Sequence, residues 1–212
     1  MTVDSELAKV EELYSTNLRE KGAVAAAVGW NSAESQRLRF EKLTSIIADR
    51  SAPVSINDYG CGYGAHLTYL TKDAGVDVST YNGYDLSASM LDAAAIHLAG
   101  FDGALNLRRS AELDTIADYS FVSGTFNVRF ASDDAAWADF IHATLHRLST
   151  CSRKGFSFNL LSTYVDWKAP DLFYADPGYW FDQCKRKYGR RVTLLHDYPL
   201  YEWTMLVTKD EL

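Results

Sequence analysis

From Pro53 onward, short runs rich in aromatic and β-branched residues alternate with helical stretches, and this alternation leaves few folds open. The pattern predicts strands near 54–59, 79–85, 104–109, 118–124, 154–162, 190–198 and 201–208, with helices near 64–74, 87–99, 132–150 and 177–188. Strands joined through helices pair in parallel, because each crossover returns the chain to the same edge of the sheet. The last two runs, RRVTLLHDY and YEWTMLVTK, break the pattern, since only Pro199 and Leu200 separate them. A link that short joins antiparallel neighbours alone. The expected fold class is therefore α/β: a seven-stranded, mostly parallel sheet with helices on both faces and an antiparallel last strand.

The first fifty residues read differently. Leu7, Val10, Leu13, Tyr14 and Leu18 recur at helical spacing, and Gly22 ends that helix. A second helix is expected from Asn31, with Glu34 as capping-box partner, turning Phe40, Leu43, Ile46 and Ile47 inward. Residues 1–50 are thus expected to form a helical lid or appendage on an α/β domain spanning 51–212. Ser87, Ser132 and Asp176-Pro177 supply helix-start chemistry for the later helices.

Composition narrows the partners. Of 212 residues, 47% are hydrophobic, enough for one well-filled core, and 28 acids against 21 bases give a net charge of −7. Such a surface repels phosphate backbones and anionic lipids, so neither nucleic acid nor membrane is expected as a partner. No window approaches the roughly 18 apolar residues of a membrane helix, and the N-terminus carries no apolar leader. Cys61, Cys151 and Cys184 form no close pair, which suits a reducing cytoplasm. The terminal Lys-Asp-Glu-Leu spells a retention signal for the endoplasmic reticulum, and is read as coincidence because nothing would deliver the chain there.

The chemistry concentrates in Asp58-Tyr59-Gly60-Cys61-Gly62-Tyr63-Gly64, between the first strand and its helix. Glycines let the backbone turn tightly and approach a ligand, and helix N-terminal amides favour acceptor groups. Asp85 follows Gly60 by twenty-five residues, at the end of the second strand, where an acid can hold both hydroxyls of a ribose. Together they indicate a nucleoside-containing ligand. Gly60, Gly62 and Ala65 also satisfy a permissive dinucleotide fingerprint, so the glycines alone leave a nicotinamide cofactor open. Asp58, two residues before the first glycine, favours a cationic ligand over a pyrophosphate.

DYGCGYG, GYDLSASML and the closing hairpin resemble the class I S-adenosylmethionine-dependent methyltransferases, a Rossmann-like family, over essentially the whole chain. WNSAESQRLRFEKL, SGTFNVRF, FNLLSTYVD and HDYPLYEWTMLV look like a bacterial branch acting on small molecules. The resemblance implies S-adenosyl-L-methionine as cofactor. It places Gly60 and Gly62 under the methionine portion, with Cys61 as a small buried side chain between them, and Asp58 at the ammonium. Asp85 would grip the ribose, Leu86 and Met90 would flank the adenine, Ala111 and Glu112 would reach its edge, and Ser123 would lie beside the sulfonium. The Ser110-Ala111-Glu112 segment departs from the family's commoner Gly-Asp-Ala form.

Acceptor-side candidates are Tyr164 and Tyr174, from the aromatic-dense segment 162–181 that also holds Trp167, Phe126 at the end of the fourth strand, Trp30 as a lid residue, and Arg129, which suits an anionic acceptor. Tyr14 joins them as a lid residue, and Arg39 as a partner for the cofactor carboxylate. His196, assigned to the carboxyl end of the sixth strand, is the candidate general base, because histidine titrates near neutrality. Packed structural roles compete with each of these assignments. His142 and His146 have metal-ligand spacing but no third ligand in register, so no metal is expected. The sequence reading is a methyltransferase acting on an O or N atom of a small molecule, as a monomer or homodimer. A nicotinamide-dependent oxidoreductase and a non-catalytic cofactor-binding protein remain the alternatives.

Overall fold

A computed structural model describes residues 3–29 and 32–209. Helix α1 (Val3–Lys21), a 3-10 turn (Ala25–Val28) and α2 (Ala33–Thr44) precede the sheet. There follow β1 (Val54–Tyr59), α3 (Ala65–Thr68), β2 (Val78–Asp85), α4 (Ala88–His97), β3 (Ala104–Arg109), β4 (Ala117–Val122) and α5 (Asp134–Thr150). The chain ends with β5 (Ser152–Ser162), β6 (Tyr174–Ala175), α6 (Pro177–Tyr188), β7 (Arg191–Leu195) and β8 (Glu202–Thr208). The strand order is β3-β2-β1-β4-β5-β8-β7, with the two-residue β6 pairing to β5. Only β8 runs antiparallel, inserted between β5 and β7, as the hairpin requires. Among the described residues no helix is long and apolar enough to cross a membrane.

Alternate residues of the central strands feed two separate cores. Ile56, Tyr81 and Phe121 pack beneath α2, α3 and α4, with Leu43, Ile46 and Ile47. Tyr59, Tyr84 and Val122 join Trp137, Phe158, Trp180 and Trp203 on the other face, under α5 and α6. Both faces are covered, so the strands bury residues in both directions. A side-chain ladder pins the register of the first three strands. Asn106 Nδ2 donates to Asn82 Oδ1 at 3.0 Å, and Asn82 Nδ2 donates to Asn57 Oδ1, also at 3.0 Å. A one-residue slip would break both bonds and turn the core residues outward.

Several boundaries differ from the sequence reading, each for a local reason. The second helix starts after Ser32, whose side chain accepts from Ser35 N while Ser35 returns the bond. Ser35 thus takes the box position expected of Glu34; Asn31 lies outside the described residues. Asp133, not Ser132, caps α5 through Ala135 N and Ala136 N. The helix after the glycine turn is a short α segment that widens into a π-turn over Tyr69–Asp73. Strand β4 stops at Val122 and β7 at Leu195, so Ser123 and His196 sit in loops. The link between β7 and β8 is residues 196–201 rather than two residues. Leu13, expected inward, is 37% exposed.

One buried network ties the N-terminal helices to the sheet. Arg39 Nε donates to Glu202 Oε2 at 2.8 Å, and Asn159 Nδ2 donates to Glu202 Oε1 at 3.0 Å. Asn159 Oδ1 in turn accepts from Gly124 N at 2.7 Å. Glu202 is fully buried, so its charge depends on these partners. Glu202→Leu should therefore lower stability by about 3–5 kcal/mol in denaturant unfolding, the range for stranding half of a buried pair. An Arg39→Met, Glu202→Leu double variant should cost less than the sum of the two single changes.

Candidate functional site

The glycine turn is shaped by two close approaches. Gly60, Gly62 and Gly64 all have positive φ, a region open to glycine and strained for other residues. A Cβ on Gly60 would lie 2.1 Å from Thr125 Oγ1, and one on Gly64 would lie 2.5 Å from Leu98 Cδ1. Thr125 is held there because its hydroxyl donates to Tyr59 O at 3.1 Å. Gly60 N and Cys61 N both donate to Tyr84 O, at 2.8 and 3.0 Å, which bends the turn toward the end of β2.

Asp85 completes that bend. Its Oδ2 accepts from Gly62 N and its Oδ1 from Ser87 N, each at 2.9 Å. Burial raises its pKa, and the backbone donors pull partly the other way. Asp58 lies deeper, buried, with Tyr81 Oη donating to its Oδ2 at 2.6 Å. Burial pushes its carboxyl up to about 7. His66, the second residue of α3, is buried beside it, its Nδ1 3.9 Å from Asp58 Oδ2. Burial drives the His66 pKa down to about 3, so the ring is neutral.

These groups line one cleft at the carboxyl end of the parallel strands, holding about 990 Å³ of empty space with its mouth included. Helix α1 forms one wall with Leu7, Val10, Glu11 and Tyr14, spaced so that all four face inward. It is fastened by Glu11 to Arg109 at 3.0 Å and by Ser15 Oγ to Ser87 Oγ at 2.8 Å. Gln36 and Phe40 of α2 and Phe140 of α5 complete the walls. Burial and the neighbouring Asp85 charge raise the Tyr14 hydroxyl to about 12, so it remains protonated at neutral pH.

The cleft gathers Asp58, Gly60, Cys61, Gly62, Asp85, Leu86, Met90 and Ser123 from the cofactor candidates. It does not gather Ala111 or Glu112. Both are exposed, and the lining residue of that segment is Ser110, whose hydroxyl turns the loop by accepting from Glu112 N. Most acceptor-side candidates also lie elsewhere. Phe126 is fully buried in the second core, edge-on to Phe140 and Phe158. Arg129 pairs with Asp134 at 2.9 Å and ties down its own loop. Tyr174 lies in β6, its hydroxyl accepting from Ala169 N. Tyr164 is 70% exposed and packs against His196, which is itself exposed in the loop after β7. His196 is away from the cleft because β7 is the edge strand, separated from β4 by β5 and β8. Arg39 is taken up by Glu202, and Trp30 lies outside the described residues.

His66, Gln36, Phe40 and Phe140 are among the lining residues that sequence reasoning missed. His66 carried a signal, since a titratable ring two residues after the last glycine falls on the inward side of the helix that the turn begins. Phe40 carried none, because its spacing is that of an ordinary core residue.

No protein-family model matches the chain. A Mycobacterium tuberculosis (strain H37Rv) protein named "Putative methyltransferase Rv1506c" is 50% identical over 165 residues, covering 77% of this chain and 98% of that protein. Among solved structures, the magnesium protoporphyrin IX methyltransferase of Synechocystis PCC 6803 with bound S-adenosylhomocysteine superposes with a TM-score of 0.69 at 11% identity, covering 97% of this chain and all of that one. The 1,6-didemethyltoxoflavin-N1-methyltransferase of Burkholderia thailandensis, solved with 1,6-didemethyltoxoflavin and S-adenosylhomocysteine, gives 0.66 at 13% identity over 100% and 92% of the two chains. At such identities these structures speak for the fold, and the mycobacterial relative speaks for the family. The chain belongs to the methyltransferases, built on the class I S-adenosylmethionine-dependent fold.

Proposed function

We propose that the cleft binds S-adenosyl-L-methionine and presents it to an O or N atom of a small-molecule acceptor. The observation that carries this reading is the pairing of a glycine turn with no room for a side chain at Gly60 or Gly64 with a partly buried acid, Asp85, clasped by Gly62 N and Ser87 N. Two amides orient the carboxylate and leave lone pairs for a ribose diol, and bare main chain admits the amino-acid portion. The cofactor supplies an activated methyl on a positive sulfur. The protein's share is alignment, exclusion of water and favourable charge. Asp58, Asp85 and Glu11 give the cleft three acids, which suits a cationic ligand.

In this reading the first fifty residues act as a lid: α1 roofs the cleft, and Leu7, Val10, Phe40 and Phe140 give the acceptor apolar walls. A roofed cleft and a net charge of −7 favour a small acceptor over a polymer. His196 is not retained as a base, because it does not border the cleft. An acceptor that is a neutral amine or a carboxylate attacks without one. Three buried free cysteines agree with a reducing compartment, the cytoplasm.

Two measurements test the reading. Asp85→Ala should weaken S-adenosylmethionine binding in calorimetry by about 1.5–3 kcal/mol, roughly ten- to hundredfold, the range for hydrogen bonds to a charged group. Unchanged affinity would remove the ribose assignment. Asp58, pushed up to about 7, is protonated in the free protein at lower pH and must ionise to hold an ammonium. Affinity should therefore rise with pH between 5.5 and 7.5, approaching tenfold per unit at the acid end in an order-of-magnitude sense. Proton release should appear as a dependence of binding heat on the buffer, and Asp58→Asn should flatten both effects.

A further inference from the structure

His66 has a donor–acceptor arrangement that the fold alone does not require. Its ring is stacked on Phe40 at 4.6 Å and 13°, and Phe121 meets it edge-on at 4.8 Å. Nε2 lies 3.2 Å from Thr44 Oγ1. Nδ1, on the other side of the ring, is buried without a hydrogen-bond partner among the described residues and faces Asp58 Oδ2 across 3.9 Å. An orphaned ring nitrogen in a site 2% exposed forfeits the bond it had in water, a loss that natural interiors tolerate rarely. Both residues also border the cleft.

We propose that His66 is a second reader of the cofactor's amino-acid end, its Nδ1 forming with Asp58 Oδ2 a two-acceptor seat bridged by one ammonium nitrogen. This rests on the S-adenosylmethionine reading above and goes beyond it by assigning a residue outside the glycine turn. In the tautomer whose Nε2–H donates to Thr44, Nδ1 presents a lone pair. A nitrogen about 2.9 Å from each acceptor, the ordinary donor distance, spans a gap of this size. An ammonium carries three N–H groups, enough for both bonds with one left over, and its charge strengthens each. Phe40 and Phe121 fix the ring plane, so the seat is preorganised. His66 is thereby a specificity-determining residue for ligands that carry the amino-acid group, and it takes no part in proton transfer.

The test compares two ligands differing in that group. S-adenosylhomocysteine carries the ammonium, and 5′-methylthioadenosine keeps the nucleoside and sulfur without it. His66→Phe preserves the stack on Phe40 and removes Nδ1. It should lower affinity for S-adenosylhomocysteine by roughly tenfold while leaving methylthioadenosine unchanged. His66→Gln, whose side-chain oxygen accepts, should recover part of the loss. In the wild-type protein, the ¹⁵N resonance of the His66 Nδ1 should move on adding S-adenosylhomocysteine and stay fixed with methylthioadenosine, a readout that needs no variant to fold. Equal loss for both ligands, no loss for either, or an unmoved resonance would overturn the proposal. A wild-type protein that binds neither ligand would instead overturn the cofactor reading on which the proposal rests.

Discussion

The structure depends most on the clasp at Asp85. One carboxylate joins the amide of Gly62, in the turn after β1, to the amide of Ser87, at the start of α4. Without it, two strand ends would each leave a donor pointing into a cleft. With it, the turn and the helix are set at fixed separation, and the acid is oriented by the same bonds that brace the fold. The clasp reaches further through Ser87, whose hydroxyl meets Ser15 on α1. The helix that forms one wall of the cleft is thereby tied to a residue whose amide donates to Asp85. Glu11 and Arg109 add a second tie, exposed enough that screening leaves it weak. The hydroxyl contact is the more specific of the two, because it fixes a position on α1 rather than a charge.

Much of this was legible in the sequence. The glycine turn, Asp85 and the antiparallel last strand were all readable from spacing alone, since each rests on a backbone constraint that admits few residue types or link lengths. The assignment of Leu86 and Met90 came from the resemblance to the methyltransferase family, and both residues border the cleft. What failed were readings that needed a strand's end to within two residues. His196 and Ser123 both fall just past where their strands stop, with opposite results: the loop after β4 stays along the cleft, and the loop after β7 turns away from it. Strand propensity continues through HDY in the sequence, but β7 ends at Leu195 opposite Thr204, and β7 is the edge strand, with β5 and β8 between it and β4. Strand order across the sheet, absent from a local pattern, decided the matter.

The aromatic residues show the same limit from another side. Tyr164, Trp167 and Tyr174 were dense enough to suggest a substrate cover, while the walls of the cleft are built from Phe40 and Phe140, on helices with unremarkable spacing. Trp167 is 74% exposed and Phe126 is fully buried, so neither density nor aromatic character distinguished wall from surface or core. A helix residue reaches the cleft only when its helix is rotated to bring it there, and that rotation is set by the packing of α2 and α5 on opposite faces of the sheet. Local sequence carries no record of it.

Charge within the cleft links the fold to its chemistry. Asp58 is buried and Asp85 partly so, and burial raises both carboxyls, Asp58 the more clearly at about 7. In a cleft without a ligand the Asp85 charge opposes ionisation of Asp58, because like charges in a poorly solvated site repel. On the proposed reading, a cation bound beside Asp58 would favour its ionised form, so the burial that raises this carboxyl would also make it responsive to a positive ligand. Tyr81 moderates the cost by donating to Asp58 from within the sheet. The neutral His66 ring beside them fits this economy of charge: a protonated imidazole there would satisfy Asp58 internally and leave a cationic ligand nothing to gain.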